Sequence, residues 1–146
     1  MDITDKKIAV WVLTEKGLIL ARTIAAKLVR SVIFASENIC DNKGKMHGRE
    51  IFFKKFSLSV TKEFKNYQGH VFIMSAGIVV RVIASLIKHK TLDPAVLVVD
   101  DAGNYAISLL SGHIGGANTL TKYIGKITGA VPVITTATDV NNVLNT

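Results

Sequence analysis

One short segment of the chain, residues 111–118 with the sequence SGHIGGAN, combines residue types that bind anions and transfer protons. It follows the apolar run 105–110 and opens an amphipathic segment that extends to Gly129. Glycines let the backbone approach a ligand closely and adopt positive φ angles. A glycine turn between a strand and a helix also presents free N–H groups and the helix dipole to an anion. The segment therefore predicts an anion-binding turn; tight packing of helix on sheet is the alternative use of its glycines.

The side chains of this turn and of the segment 135–139 suggest roles in catalysis. His113 is suited to general acid–base chemistry near neutral pH, and Asp139 could orient its imidazole. The alternative for His113 is purely structural, a hydrogen bond to a carbonyl that holds the turn. The substrate-binding residues predicted in this part of the chain are Ser111, Gly112, Gly115, Gly116, Asn118, Thr136 and Thr138.

A second glycine turn, Ser75-Ala76-Gly77, follows another apolar run. Arg81 lies one helical turn further on, where its guanidinium could form a fork with a carboxylate or merely cap a sheet edge. We predict that Ser75, Gly77 and Arg81 contact substrate. Asp100 and Asp101 are adjacent, so along a strand they point to opposite faces, and we expect them to form a turn. No Cys/His pair in the sequence has metal-ligand spacing, so no metal-binding residues are predicted.

The elements that position these turns follow from the apolar pattern. Runs rich in β-branched residues predict strands at 7–14, 31–36, 70–75, 95–100, 105–110 and 131–135. Helical patterns lie between them at 18–29, 58–67, 78–88 and about 117–129, and a polar loop spans 38–49. This alternation predicts an α/β fold, a layered and mostly parallel sheet of about six strands with one antiparallel hairpin and helices on both faces.

The hairpin decides where the turns lie. A four-residue connection at 101–104 forces antiparallel pairing, whereas helical crossovers keep their strands parallel. The turns at 14–17, 75–77 and 100–101 should therefore share one sheet edge, with 111–118 and 135–139 at the opposite edge. Ligands of open α/β sheets bind at the carboxyl ends of strands, so the fold offers two candidate sites. Pro132 places the last strand at a sheet edge or at its own beginning.

Bulk composition restricts the class of partner. At 146 residues the chain is the size of one domain, and its net charge of +7 favours an anionic ligand, either a polycarboxylate or nucleic acid. Nucleic acid is the weaker prediction, because the basic residues lack interleaved aromatic side chains. No apolar run approaches the ~18 residues that a membrane span needs, so no membrane partner is expected. The single cysteine, Cys40, suits a reducing cytosol and predicts a cytoplasmic protein.

Several motifs stand in an order that resembles a known family. They are Met74–Arg81 (MSAGIVVR), Asp93–Val96 (DPAV), Val98–Asp100 (VVD), Leu110–Asn118 (LSGHIGGAN) and Pro132–Asp139 (PVITTATD). Together they closely resemble the N-terminal domain of the CbiG family, the cobalt-precorrin-5A hydrolases of anaerobic cobalamin biosynthesis. The likeness is strongest from about His70 to Asp139, and the first strand and helix fit more loosely.

The resemblance implies a definite reaction. The family opens the δ-lactone of cobalt-precorrin-5A and expels acetaldehyde, giving cobalt-precorrin-5B. The implied partner is thus a cobalt-precorrin macrocycle fringed with acetate and propionate groups; cobalt arrives within it, so no separate cofactor is expected. On residue chemistry we assign His113 as the base, with N–H groups around Gly115–Ala117 as oxyanion donors.

The resemblance also bears on domain organisation. Family members continue into a linking region and a C-terminal domain, whereas this sequence stops at Thr146 within the first turn of a predicted helix. We therefore predict one domain over 1–146, truncated before its C-terminal partner, with a homodimer as a further alternative. A non-catalytic tetrapyrrole-binding or inter-domain packing module is the alternative function. An unrelated nucleotide- or nucleic-acid-binding domain is the third.

Overall fold

In the computed structural model, the described residues, 2–39 and 49–137, form one seven-stranded sheet. Its strands are β1 (Ile8–Val12), β2 (Ser31–Ser36), β3 (Glu50–Phe53), β4 (Gly69–Ile73), β5 (Ala95–Val99), β6 (Tyr105–Leu110) and β7 (Val131–Val133). The helices are α1 (Glu15–Ala25), α2 (Phe56–Glu63), α3 (Ala76–Ile83) and α4 (Ala117–Thr128). Short 3₁₀ turns occupy Ile3–Asp5 and Phe64–Asn66. The predicted α/β class is confirmed.

The strands run in the order β3-β2-β1-β4-β5-β6-β7. Neighbouring strands are parallel throughout except for the β5–β6 pair, which is antiparallel. Strands β1 to β5 therefore share one direction, and β6 and β7 run the opposite way. This confirms the two predicted edges: the carboxyl ends of β1 to β5 lie at one edge, and those of β6 and β7 at the other. Pro132 lies in the edge strand β7, as expected.

Strand β3 was not among the predicted strands. It is only four residues long, forms the other edge of the sheet and begins with a glutamate; Arg49 precedes the strand and two lysines follow it. Glu50 is nevertheless buried, because it forms an ion pair with Arg22 of α1, at 2.7 Å between Nε and Oε2. A charged residue with a partner distant in sequence breaks the apolar pattern from which strands are predicted.

Helices α1, α2 and α3 begin earlier and end sooner than their predicted ranges. Helix α1 begins at Glu15 rather than 18, because the Thr14 hydroxyl accepts a hydrogen bond from the Gly17 N–H at 2.9 Å and caps the first turn. Helix α3 ends at Ile83 rather than 88. The predicted helix at 58–67 is instead α2 followed by the 3₁₀ turn Phe64–Asn66.

Two apolar layers enclose the sheet, because successive residues of a strand point to opposite faces. In β1, Val10 contributes to the layer beneath α1 and α4, and Trp11 to the layer beneath α2 and α3. Both side chains are completely buried. Helices therefore cover both faces of the sheet, as predicted.

Candidate functional site

The segment 111–118, called the glycine turn below, begins where β6 leaves the sheet. The β5–β6 register shifts between Val96 and Leu97, which places an irregularity at the end of β6. The next residue, Ser111, has φ 60° and is the one non-glycine residue with a positive φ in the described ranges. Its buried hydroxyl donates to the Asp93 carbonyl at 3.1 Å. Ser111 thus fixes the turn to the segment before β5, and its hydroxyl is directed inward.

Hydrogen bonds within the turn use several of its backbone N–H groups. Ala117 N–H donates to the Ser111 carbonyl at 3.1 Å, and Gly116 N–H to the His113 carbonyl at 3.2 Å. Asn118 N–H donates to the Gly112 carbonyl at 3.0 Å. The N–H groups of Gly116 and Ala117, which we expected to bind an oxyanion, are therefore engaged in this conformation.

Two glycines of the turn are required by close packing. A Cβ on Gly115 would lie 2.5 Å from the Ser111 Cβ and 2.9 Å from the Ser111 carbonyl oxygen. A Cβ on Gly112 would lie 2.8 Å from Asn118 Oδ1. Gly116, the residue before α4, has φ 84°. The packing role that the sequence left open is present at Gly112 and Gly115.

Asn118 joins three parts of the chain at this edge. It is 6% exposed; its Oδ1 accepts from the Ser108 hydroxyl at 2.7 Å, and its Nδ2 donates to Thr136 Oγ1 at 3.1 Å. The structure thus brings together Asn118 and Thr136, two of the predicted site residues. Thr138 and Asp139 lie outside the described residues, as does the predicted contact of Asp139 with His113.

His113 lies at the exposed tip of the turn, beside Ile114, which is 67% exposed. The imidazole makes no hydrogen bond to another residue within 2–39 or 49–137. Its backbone carbonyl, rather than its ring, holds the turn by accepting from Gly116. Among the described residues, the hydrogen bonds that hold the turn thus do not involve the His113 ring.

A cavity of about 600 Å³ opens beside the turn, where β4 and β5 begin. Ile114 and Gly115 form one side of it, and Lys6 reaches across to donate from Nζ to the Gly115 carbonyl at 3.4 Å. Lys65 and Lys88 also line it. These lysines were not predicted as a group, because they are far apart in the chain. The signal that the sequence carries for them is their position shortly before or after strands and helices.

The opposite edge holds a smaller cavity of about 360 Å³, lined in part by Ser75, Asp100 and Asp101. The Asp100 carboxylate accepts from the N–H groups of Asn104 and Tyr105, which confirms its expected turn-forming role. Gly77 and Arg81 lie at this edge, separated from the glycine turn by the length of the strands.

Arg81 folds back along α3. Its Nη1 lies 3.2 Å from the position that a Cβ on Gly77 would take, and both residues are exposed. Within the described part of the chain, no three His, Cys, Asp or Glu side chains are grouped to hold a metal ion. The described helices include none long and apolar enough to cross a membrane.

Comparison with known proteins assigns this chain to a family. Residues 59–139, more than half of the chain, match the family described as cobalamin synthesis G N-terminal. This chain belongs to that family. The matched part of the cobalamin synthesis G N-terminal domain includes the glycine turn, Lys65, Lys88 and Arg81, whereas Lys6 precedes it.

The relatives are longer proteins. The cobalt-precorrin-5A hydrolase of Salmonella typhimurium is 44% identical over 139 residues, which cover 95% of this chain and 38% of that protein. The hydrolase of Priestia megaterium is 38% identical over 93% of this chain and 36% of its own length. A solved structure of a cobalamin biosynthesis protein G homolog from Sulfolobus solfataricus superposes with a TM-score of 0.67 at 26% identity, covering 97% of this chain and 42% of that one.

Proposed function

We propose that this chain forms the N-terminal part of a cobalt-precorrin-5A hydrolase, which opens the lactone of cobalt-precorrin-5A, releases acetaldehyde and gives cobalt-precorrin-5B. The observation that carries the proposal is the 44% identity to the Salmonella hydrolase over 139 residues. Because the chain spans only 38% of that relative, the activity is proposed for the full-length protein.

The reaction requires a base in two successive steps, lactone hydrolysis and carbon–carbon cleavage. Water attacks the lactone carbonyl carbon, and collapse of the tetrahedral oxyanion frees a carboxylate and an alcohol. The alcohol then loses its proton as its carbon–carbon bond to the macrocycle breaks, which forms acetaldehyde and leaves the bonding electrons on the macrocycle. A base that takes a proton from the attacking water, passes it to the departing lactone oxygen as the alcohol forms, and then takes the alcohol proton serves both steps.

We assign this role to His113, because it is exposed at the tip of the turn and the next two residues, Ile114 and Gly115, line the large cavity. Asp139 is proposed to orient the imidazole. Ser111, Gly112, Gly115, Gly116, Asn118, Thr136 and Thr138 are proposed to shape the site. The side-chain hydrogen bonds of Ser111 and Asn118 and the close packing at Gly112 support this, because they hold the turn in place.

The test is His113→Ala in the full-length protein, with acetaldehyde measured by a coupled dehydrogenase. Loss of the base should lower kcat by about tenfold or more. His89→Ala is the matched control, since His89 is also exposed and its imidazole is already bonded to the Thr91 hydroxyl at 2.7 Å. Normal turnover by a folded His113→Ala variant would remove the assignment.

The charge at the two edges favours the glycine turn as the substrate edge. The Asp100 and Asp101 carboxylates at the opposite cavity would repel an anionic substrate. Contacts from Ser75, Gly77 and Arg81 are therefore proposed to be secondary. Arg81→Ala should leave KM for cobalt-precorrin-5A unchanged; a large rise in KM would move the substrate to the Arg81 edge.

A non-catalytic module is the second candidate function. It is favoured by one observation, the engagement of the Gly116 and Ala117 N–H groups within the turn. Such a module would bind the macrocycle without turnover, and His113→Ala would then leave acetaldehyde release by the full-length protein intact. The same assay therefore decides between the two candidates.

Location and cofactors follow from the same proposal. The cobalt is part of the substrate, so we propose that the reaction uses no separate cofactor. We propose a cytoplasmic location, because a chain with a single cysteine suits a reducing compartment.

We also propose that the C-terminal part of the full-length protein packs on the β6–β7 face opposite α4. Tyr105 and Val131 are paired neighbours on this face and are 54% and 55% exposed. Helix α4 covers the other face of both strands, and the longer relatives supply chain that could cover this one. An exposed apolar surface at the edge of a domain is typical of such contacts.

This contact is tested by Val131→Lys. The variant should lower Tm of the full-length protein while leaving Tm of chain 1–146 unchanged. Leu58→Lys, at a 64% exposed position of α2, is the control and should change neither. If light scattering shows that chain 1–146 is a dimer and that Val131→Lys makes it a monomer, this face is a homodimer contact and not a contact with the C-terminal part.

A further inference from the structure

The cavity beside the glycine turn has an apolar wall and a basic rim. Phe64, Tyr67, Leu86 and Ile114 contribute apolar surface, and the 600 Å³ volume is within the range of small-molecule sites. Lys6, Lys65 and Lys88 place three ammonium-bearing side chains around that surface. A conjugated ring that carries carboxylates on its periphery fits both features.

The three lysines come from three separate segments of the fold. Lys6 precedes β1, Lys65 belongs to the 3₁₀ turn after α2, and Lys88 follows α3. A further cation, Lys7, lies with Nζ 4.7 Å from the centre of the Tyr67 ring. The converging positive charges are therefore a product of the topology and not of a single basic stretch of sequence.

One acidic residue, Asp93, lines this cavity, but its carboxylate is engaged. Asp93 is 8% exposed, and its two oxygens accept from the Lys88 N–H at 3.0 and 3.1 Å. This bond fixes the backbone of Lys88 and directs the carboxylate into the protein. The rim consequently presents more positive than negative charge to a ligand.

We propose, building on the proposed function, that this cavity binds one edge of the substrate macrocycle and that Lys6, Lys65 and Lys88 bind its peripheral carboxylates. The bond from Lys6 to the Gly115 carbonyl joins the cavity to the turn that carries His113. A carboxylate held at this rim would place the macrocycle against Ile114 and Gly115, the residues that follow His113 in the turn. The lysines are binding residues in this proposal, so their loss should raise KM and leave kcat largely unchanged.

The binding test uses chain 1–146 and cobalt uroporphyrin III, a carboxylate-fringed macrocycle, with absorbance titration. Lys65→Gln/Lys88→Gln should raise Kd by about tenfold or more, because each lost charge removes an attraction to carboxylate. The matched control is Lys54→Gln/Lys55→Gln, which removes the same charge from two exposed positions between β3 and α2, away from the cavity. The control should change Kd by less than about twofold.

Both pairs of lysines are exposed, so both variants should retain the wild-type Tm. An equal loss of affinity in the test and control variants would show non-specific attraction to a basic protein and overturn the site. The second measurement is KM for cobalt-precorrin-5A in the full-length protein. If Lys65→Gln/Lys88→Gln releases acetaldehyde with an unchanged KM, the proposed site is also overturned, while the proposed function stands.

A different pair of results would overturn the proposed function and leave the cavity proposal standing. If the lysine pair governs macrocycle binding but the full-length wild-type protein releases no acetaldehyde, the binding site stands and the proposed function falls.

Discussion

The indole of Trp11 donates a hydrogen bond from Nε1 to Nδ1 of His70, at 3.0 Å, across the adjacent strands β1 and β4. The other ring nitrogen, Nε2, lies 2.8 Å from the Phe64 carbonyl. Since Nδ1 accepts from Trp11, Nε2 carries the proton and donates to that carbonyl. The pair thereby ties the sheet interior to Phe64, a wall residue of the basic cavity.

Burial of the His70 imidazole predicts a loss of stability in weak acid. Desolvation lowers the His70 pKa from 6.5 to about 4, so the unfolded chain binds this proton first as the pH falls. Stability is fully present above about pH 6.5 and is lost as the pH falls toward 4, by on the order of 3 kcal/mol. Urea unfolding followed by the fluorescence of Trp11, the single tryptophan, measures it.

The control for this prediction is His70→Gln, whose amide can accept from Trp11 and donate to Phe64 without titrating. Its free energy of unfolding should be lower than wild type at pH 7 but should depend less on pH between 5 and 7. An identical pH slope in the two proteins would show that other groups cause the acid sensitivity.

The ion pair between Arg22 and Glu50 predicts strong coupling of their substitutions. Glu50 is 1% exposed, and its carboxylate accepts from Arg22 at 2.7 and 3.0 Å, which raises the Arg22 pKa. Arg22→Met should cost about 2 kcal/mol, because it leaves a buried carboxylate without its charged donor. The double variant Arg22→Met/Glu50→Gln should be more stable than the sum of the single changes predicts. Additive losses in urea unfolding would show that the pair is not coupled.

The close contact at Gly115 predicts that a single methyl group disturbs the glycine turn. Gly115→Ala should lower the free energy of unfolding by about 1–3 kcal/mol, because its Cβ would meet the Ser111 backbone and the turn would have to shift. Gly77→Ala is the control. It lies in α3, where the nearest atom is the mobile end of Arg81 at 3.2 Å, so stability should hold or rise. Equal thermal stability of the two variants would mean that the turn adapts freely.

Much of this fold could be predicted from the sequence because its signals are local. Apolar runs predicted β1, β2 and β4 to β7, since buried strands of a parallel sheet are continuously hydrophobic. The short turn at 101–104 predicted the antiparallel pair, because four residues are too few for the crossover that a parallel pair requires. The reversed direction of the strands after this turn in turn predicted that the two candidate sites lie at opposite edges of the sheet. The ordered motifs from Met74 to Asp139 predicted the family to which the chain belongs.

Other features depend on contacts between residues far apart in sequence, and only the tertiary structure decided them. The apolar pattern did not predict strand β3, because Glu50 interrupts it and is buried only through its ion pair with Arg22, 28 residues earlier. The inward direction of the Ser111 hydroxyl depends on the carbonyl of Asp93, 18 residues earlier. The basic cavity combines Lys6, Lys65 and Lys88. Sequence pattern determines which segments become strands and helices, but charge, packing and cavities arise where the strand order brings distant segments together.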